Sequence, residues 1–281
     1  MPDLQITEEI HLLVGRQKAE FDKGSQLRTR VLQVQIALGL LSAITIFVTD
    51  DVWLYAAGVV GVLLAAVWFY LWRRLDRSRS HAERLRRATM IAGGFGVPIE
   101  RDEAFELARG GLASDNEAEA RVDRDYFASK LPPGPQRFSE MLEESGVWTK
   151  VLSRYAATET WILFGGVIIV TILLLFSSVE LVPVKAWALA ARIFFSMLAV
   201  VVSADFLGAG FAYSSTNEEV TRVIERLRRN RAAGCPLEGL MIIFGDYNAA
   251  VEGMPLFSKG LYPRYQERLN RDYHLYLTGP Q

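Results

Sequence analysis

The sequence predicts an all-α membrane protein with two transmembrane helical hairpins, four spans in all, carrying a mainly helical cytoplasmic region. Three observations predict it. Four stretches are as long and apolar as a hydrocarbon core requires, roughly 20 helical residues. Tryptophans gather at the ends of those stretches, where headgroups suit their amphipathic rings. Arginine and lysine crowd the outer flanks of each pair, while the links within the pairs are short. The alternative, two buried core hairpins of a water-soluble protein, fits poorly. No charge occurs from Val52 to Trp72, and soluble helices seldom lack a polar face over that length.

The 281 residues are 51% apolar, which excludes disorder of the whole chain. With 31 Lys plus Arg against 32 Asp plus Glu, the balance argues against a dedicated nucleic-acid binder. The single cysteine, Cys235, excludes an internal disulfide framework, and His11, His81 and His274 lie far apart in sequence. No Walker sequence and no H-E-x-x-H occurs. Gly93-Gly94-Phe95-Gly96 lacks the strand and spacing of a dinucleotide loop. The expectation is therefore a non-enzymatic protein with no cofactor and no metal.

Residues 1–30 form a polar N-terminal helix, residues 31–72 the first hairpin and residues 73–159 a cytoplasmic insertion. Residues 160–207 make the second hairpin and residues 208–281 a helical tail. The spans run from about Val31 to Val48, Trp53 to Trp72, Trp161 to Leu181 and Trp187 to Leu207. Lys18, Lys23, Arg28 and Arg30 precede the first span; Arg73, Arg74, Arg77 and Arg79 follow the second. Thr49-Asp50-Asp51-Val52 and Val182-Pro183-Val184-Lys185-Ala186 close the hairpins. The distribution puts both termini and the insertion in the cytoplasm, with the protein multi-pass in the membrane. The first 30 residues lack a signal-peptide h-region, so the first span is expected to act as an uncleaved anchor.

In the insertion, the second span continues as a helix through Arg74, Arg77, Arg84, Arg86 and Arg87 until the glycines at 93–96. A short helix fits Glu100 to Ala108, and Leu131-Pro132-Pro133-Gly134-Pro135 is a second break. After it, Phe138, Met141, Ser145, Trp148, Leu152 and Tyr155 make an amphipathic seam. It packs either on its own neighbours or on another subunit as a coiled coil. In the tail, Ser214, Ser215 and Thr216 offer N-caps for a helix to about Ala233. Gly234 and Pro236 punctuate, an apolar helix covers Leu237 to Ala250, and an amphipathic one covers about Tyr262 to Tyr276.

The spans themselves carry polar residues. Arg192, Ser196, Ala199, Ser203 and Gly210 fall within about 60° of one another on the fourth span. The first span has a similar stripe of Arg28, Gln35, Gly39 and Ser42, and the second a small-residue ridge of Ala57, Gly61 and Ala65. These stripes either pack helices closely or line a water-filled path between assembled copies. Arg192 has Glu180 as a partner to reach by snorkelling, and Asp205, about 140° away around the helix, is placed near the cytoplasmic interface.

Arg16-Gln17 in the polar N-terminal helix, the hairpin–insertion–hairpin–tail layout, and the tail motifs Asp246-Tyr247-Asn248, Pro255, Leu261-Tyr262 and Arg268-Leu269-Asn270 give the chain a likeness. It resembles the four-transmembrane effectors encoded beside SMODS-type nucleotidyltransferases in bacterial anti-phage systems (CBASS and relatives). The resemblance implies a homo-oligomer that senses a nucleotide second messenger or a partner and permeabilises the inner membrane. An anionic cyclic oligonucleotide needs convergent arginines, for which Arg84, Arg87, Arg264 and Arg268 are the candidates. Two other functions stay open: a membrane scaffold that recruits a cytoplasmic partner, and a constitutive channel or transporter.

Overall fold

A computed structural model of the chain describes residues 2–45, 48, 50–124, 126–181 and 206–278. Eight helices, and no strand, occur among the described residues. They are α1 (Pro2–Thr45), α2 (Asp51–Phe95), α3 (Arg101–Arg109), α4 (Asp115–Glu119), α5 (Pro135–Leu181), α6 (Phe206–Ala232), α7 (Leu237–Gly253) and α8 (Leu261–Thr278). One of them, α2, is long and apolar enough to cross a membrane, and none of its most apolar stretch is buried.

α1 and α2 form an antiparallel hairpin. Asp50 starts α2 by accepting hydrogen bonds from the amides of Val52 and Trp53, satisfying donors that a helix start leaves free. Along α2 the half-buried and buried positions Ala57, Gly61, Leu64, Trp68, Leu71 and Leu75, then Ser78, Ala82, Leu85 and Thr89, advance in alternating steps of four and three. α1 answers with Gln17, Glu20, Gly24, Leu27, Val31, Val34, Leu38 and Leu41 in the same rhythm. That 3.5-residue period is the seam of a coiled-coil-like pair. Its register holds end to end: Leu41 Cδ2 lies 3.9 Å from where a Cβ on Gly61 would stand, and the Ser78 hydroxyl 3.6 Å from that of Gly24. The seam changes chemistry on the way, from Leu, Val and Trp to Ser, Glu and Gln.

Outside the seam the two halves of α2 differ. From Val52 to Trp72 the outward side chains are apolar and open, Tyr55 at 77% and Val62 at 71% exposure. Beyond Ser78 the helix is embedded among neighbours. α1 repeats this in reverse, with Ile36, Leu40 and Ile44 exposed toward its end. α5 has Ile162, Leu163 and Ile169 exposed beyond Thr160.

The remaining core joins α5, α6, α7 and α8 around Phe138, Leu142, Tyr213, Leu227, Phe244 and Tyr247. The α5 seam is covered from within the chain. Phe138 stacks on Phe95 and meets Phe244 edge-on, Trp148 stacks on Tyr262, and Tyr155 lies on Tyr265 at 3.9 Å between ring centres.

One local expectation needs correction. Ser214, Ser215 and Thr216 are not N-caps: α6 has run since Phe206. The Ser214 and Ser215 hydroxyls bond back to Gly210 and Ala212 carbonyls, and Thr216 donates to Ala250 of α7. The break expected at Gly93-Gly94-Phe95-Gly96 is present: α2 ends at Phe95 and is capped by Gly96 at φ 65°. Gly94 is there for closeness, because a Cβ on it would stand 2.5 Å from Phe138 Cδ2 and 3.1 Å from the Phe138 Cα.

Gly94→Ala is therefore expected to destabilise the helical body by about 1–3 kcal/mol, the usual cost of overpacking. Gly165→Ala, which meets nothing within 4 Å, should stay close to wild type. Thermal unfolding of the detergent-solubilised chain, followed by circular dichroism, compares them.

Candidate functional site

The polar half of α2 brings charged residues into the interior. Arg86 lies on the same face as Ala82, Leu85 and Thr89, so the packing that buries these also buries the guanidinium. Glu83, one turn earlier, pairs with it at 2.7 Å. Arg86 donates to the Asn248 amide oxygen at 3.0 Å and lies over the Tyr247 ring at 5.0 Å. Burial works against its charge. Glu83, with Tyr247 and Tyr126 nearby, more than offsets that and holds the guanidinium above its ordinary range.

The network spreads to further helices. Tyr247 shares a hydrogen bond with the Thr149 hydroxyl of α5 at 3.0 Å. Gln17 of α1 donates to the Tyr126 hydroxyl at 3.2 Å, and Lys18 lies 5.7 Å over that ring while bonding Asp123 at 3.0 Å. Burial pushes the Tyr126 phenol well up. Arg16 binds Asp115 and the Ala108 carbonyl, and Asp246 takes Arg226. Gln17 and Tyr247-Asn248, from two distant sequence motifs, thus come to one junction between the α1–α2 hairpin and the α5–α7 body, while Arg16 holds α3 and α4 and Asp246 an arginine of α6. Arg86 Nε and Gln17 Oε1 are buried there with no hydrogen-bond partner.

A second cluster surrounds Glu20, which is fully buried. Its carboxylate accepts from the amides of Leu112 and Ala113 and from the Ser78 hydroxyl at 2.9 Å. Gly111 makes this possible, since a Cβ there would stand 2.1 Å from Glu20 Oε1. His81 holds the Leu107 carbonyl at 3.1 Å through Nε2. Burial pushes its imidazole below the ordinary range, against the pull of Glu20. Lys23 and Ser114 hold the Glu117 carboxyl at about 2. These contacts fasten the α3–α4 segment onto the hairpin.

A third set grips residues 252–257, the end of α7 and the start of its link to α8. Tyr213 donates to the Leu256 carbonyl at 2.9 Å and accepts from Arg28 of α1; its ring stacks on Phe257. Arg79 of α2 bonds the Glu252 carbonyl, and Arg87 pairs with the Glu252 carboxylate. The strap touches the α1–α2 hairpin and α6.

Of the residues proposed to bind an anion, Arg84 pairs with Glu106 at 3.0 Å, Arg87 with Glu252, and Arg264 with Glu159 at 2.7 Å. Arg268 is exposed on α8. The three pairs tie α2 to α3, α2 to α7 and α8 to α5, and point to separate carboxylates rather than to one centre. In the first-span stripe Gln35 is buried and Ser42 exposed, so the stripe does not share one environment. Arg192, Ser196, Ala199, Ser203 and Asp205 lie outside the described residues, as does the side chain of Glu180 on α5. Among the described residues no group of three His, Cys, Asp or Glu side chains is placed to hold a metal. The shallow groove of about 320 Å³ between Leu131–Gln136 and Gly234-Cys235 has no charged lining residue.

No family model matches the chain, and neither a curated protein nor a solved structure does.

Two outcomes follow from these clusters. Glu83→Ala leaves Arg86 buried without its counter-charge and should cost about 3–5 kcal/mol, whereas Glu83→Leu with Arg86→Met should recover much of that loss; chemical denaturation in detergent distinguishes the two. Folding holds the His81 imidazole below the ordinary value, about 6.5, at which the unfolded chain protonates it. Stability is therefore lost as pH falls through that value. Amide exchange at Gly111–Ala113, corrected for its intrinsic pH dependence, should rise between about pH 7 and 5, and His81→Gln should flatten the rise.

Proposed function

We propose that the chain is a membrane-embedded effector of a bacterial anti-phage defence system. In this reading α1, α2, α5 and residues 187–207 supply four spans in two hairpins, with both termini in the cytoplasm. A nucleotide second messenger, or a partner, engages the cytoplasmic helices, and the assembled copies permeabilise the inner membrane. The observation that carries the membrane part is α2 itself. It is a single 45-residue helix whose apolar half is wholly unburied while its other half is built into the core. An open apolar surface of that extent is not maintained in water. The likeness of layout and motifs to the effectors encoded beside nucleotidyltransferases supports the defence part. The Arg86 junction and the 252–257 strap offer a route by which a signal in the body reaches both hairpins.

A membrane scaffold is the second reading, and the exposed ridge of Leu237, Met241 and Ile242 on α7 favours it. It predicts co-purification of a partner and vesicles that stay sealed.

Expression in bacterial cells together with a cyclic-oligonucleotide synthase should collapse the membrane potential, read with a potential-sensitive dye, and Arg192→Leu should blunt the collapse. An unimpaired potential at saturating messenger defeats the effector reading. On a Cys235→Ala background, Asp51→Cys should label from outside intact cells and Arg77→Cys only after permeabilisation.

A further inference from the structure

Arg73, Arg74 and Arg77 on α2, with Arg30 on α1, take no part in any of the three clusters. All four are exposed. None has a carboxylate partner among the described residues, whereas Arg84, Arg86 and Arg87 on the next turns of α2 each hold one. The acid nearest in sequence, Asp76, is exposed and stands on the body side of Arg73 and Arg74.

Their level along the helix is informative. From Trp53 to Arg73 is 20 residues, or about 30 Å of helix, the thickness of a bilayer hydrocarbon core. The hairpin register puts Arg30 beside Trp72, at that same level. The opposite end of α2 is acidic, with Asp50 and Asp51. Direction matters as much as level. Helical side chains lean toward the helix N-terminus, which on α2 means toward the apolar half. The guanidinium of Arg73 accordingly lies 5.5 Å over the Phe69 ring and that of Arg74 lies 5.8 Å over Tyr70, with Arg74 Nη1 donating to the Tyr70 hydroxyl at 3.3 Å. Trp68 and Trp72 stack at 6.4 Å in the same zone. Cation faces are thus propped on aromatic rings at the boundary, with further N–H donors left for an acceptor between the rings and the body.

We propose that this cuff is a binding site for the phosphate of anionic glycerophospholipids. It rests on the reading of α2 as a membrane span. A guanidinium matches a phosphodiester with paired hydrogen bonds. A headgroup that carries no compensating ammonium keeps its net charge for the four arginines, which selects phosphatidylglycerol over phosphatidylcholine. The acceptor is a lipid because the three donors on α2 lean toward the apolar segment, where a soluble phosphate has no reason to reside.

The full chain reconstituted into phosphatidylcholine vesicles, doped with spin-labelled phosphatidylglycerol or phosphatidylcholine, tests this. Wild type should immobilise the phosphatidylglycerol label at least twofold more than the phosphatidylcholine label. Arg73→Gln with Arg74→Gln and Arg77→Gln should bring the ratio to about one, while Arg101→Gln with Arg109→Gln, exposed arginines of α3, should leave it unchanged. Equal ratios in wild type, no effect of the triple variant, or displacement of the lipid by free sn-glycerol 3-phosphate would each overturn the proposal. Flotation after a carbonate wash separates the two claims. A chain that fails to float with vesicles refutes the membrane span, whereas one that floats without lipid preference refutes the cuff alone.

Discussion

The seam between α1 and α2 is the constraint from which the rest follows. It runs from Gln17 and Thr89 at one end to Leu41 and Ala57 at the other without a skip in its rhythm. A helix keeps every internal amide bonded to its own carbonyls. A pair of such helices can therefore pass from a polar surrounding to an apolar one without exposing a backbone group. Only the side chains need to change, and they do. Leu, Val and Trp fill the seam where the outer faces are greasy, and Ser78, Glu20 and Gln17 fill it where other helices cover the outside.

Polarity inside the body fixes which surfaces meet. Apolar packing alone tolerates sliding, because one leucine replaces another at little cost. Glu20 must face the Leu112 and Ala113 amides, Arg86 must face Glu83 and Asn248, and Tyr213 must reach the Leu256 carbonyl. A shift of one turn strands at least one of these groups in the interior, at a cost of about 1–3 kcal/mol for each neutral one and more for a charge. Such contacts hold one arrangement against its neighbours and add less to overall stability than their number suggests.

The helical class, the two proline and glycine breaks, the short α3 and the α7–α8 boundaries were legible because each depends on local chemistry. Gly234 and Pro236 end one helix and open the next whatever surrounds them. Arg86, Glu20 and Tyr213 were not legible, since a charged residue among other charges, or a hydroxyl beside serines, reads as a solvated face. The signal was nevertheless present: carrying the three-four rhythm past Arg73 selects Ser78, Ala82, Leu85 and Thr89 and sets Arg86 beside them. Ser214 to Thr216 misled for the converse reason. Hydroxyls that cap a helix start also bond back within a helix interior, and only the chain before them decides which.

The unbroken course of α2 has a mechanical side. About 22 residues, from Asp51 to Trp72, project beyond the part gripped by any helix other than α1, a rod of about 33 Å. With no kink to absorb it, a tilt of about 10° at Ser78 swings the tip by roughly 7 Å. Displacements of an ångström or so around Arg86 or Tyr213, too small to disturb the body's packing, are in this way multiplied into gaps as wide as a side chain at the remote end.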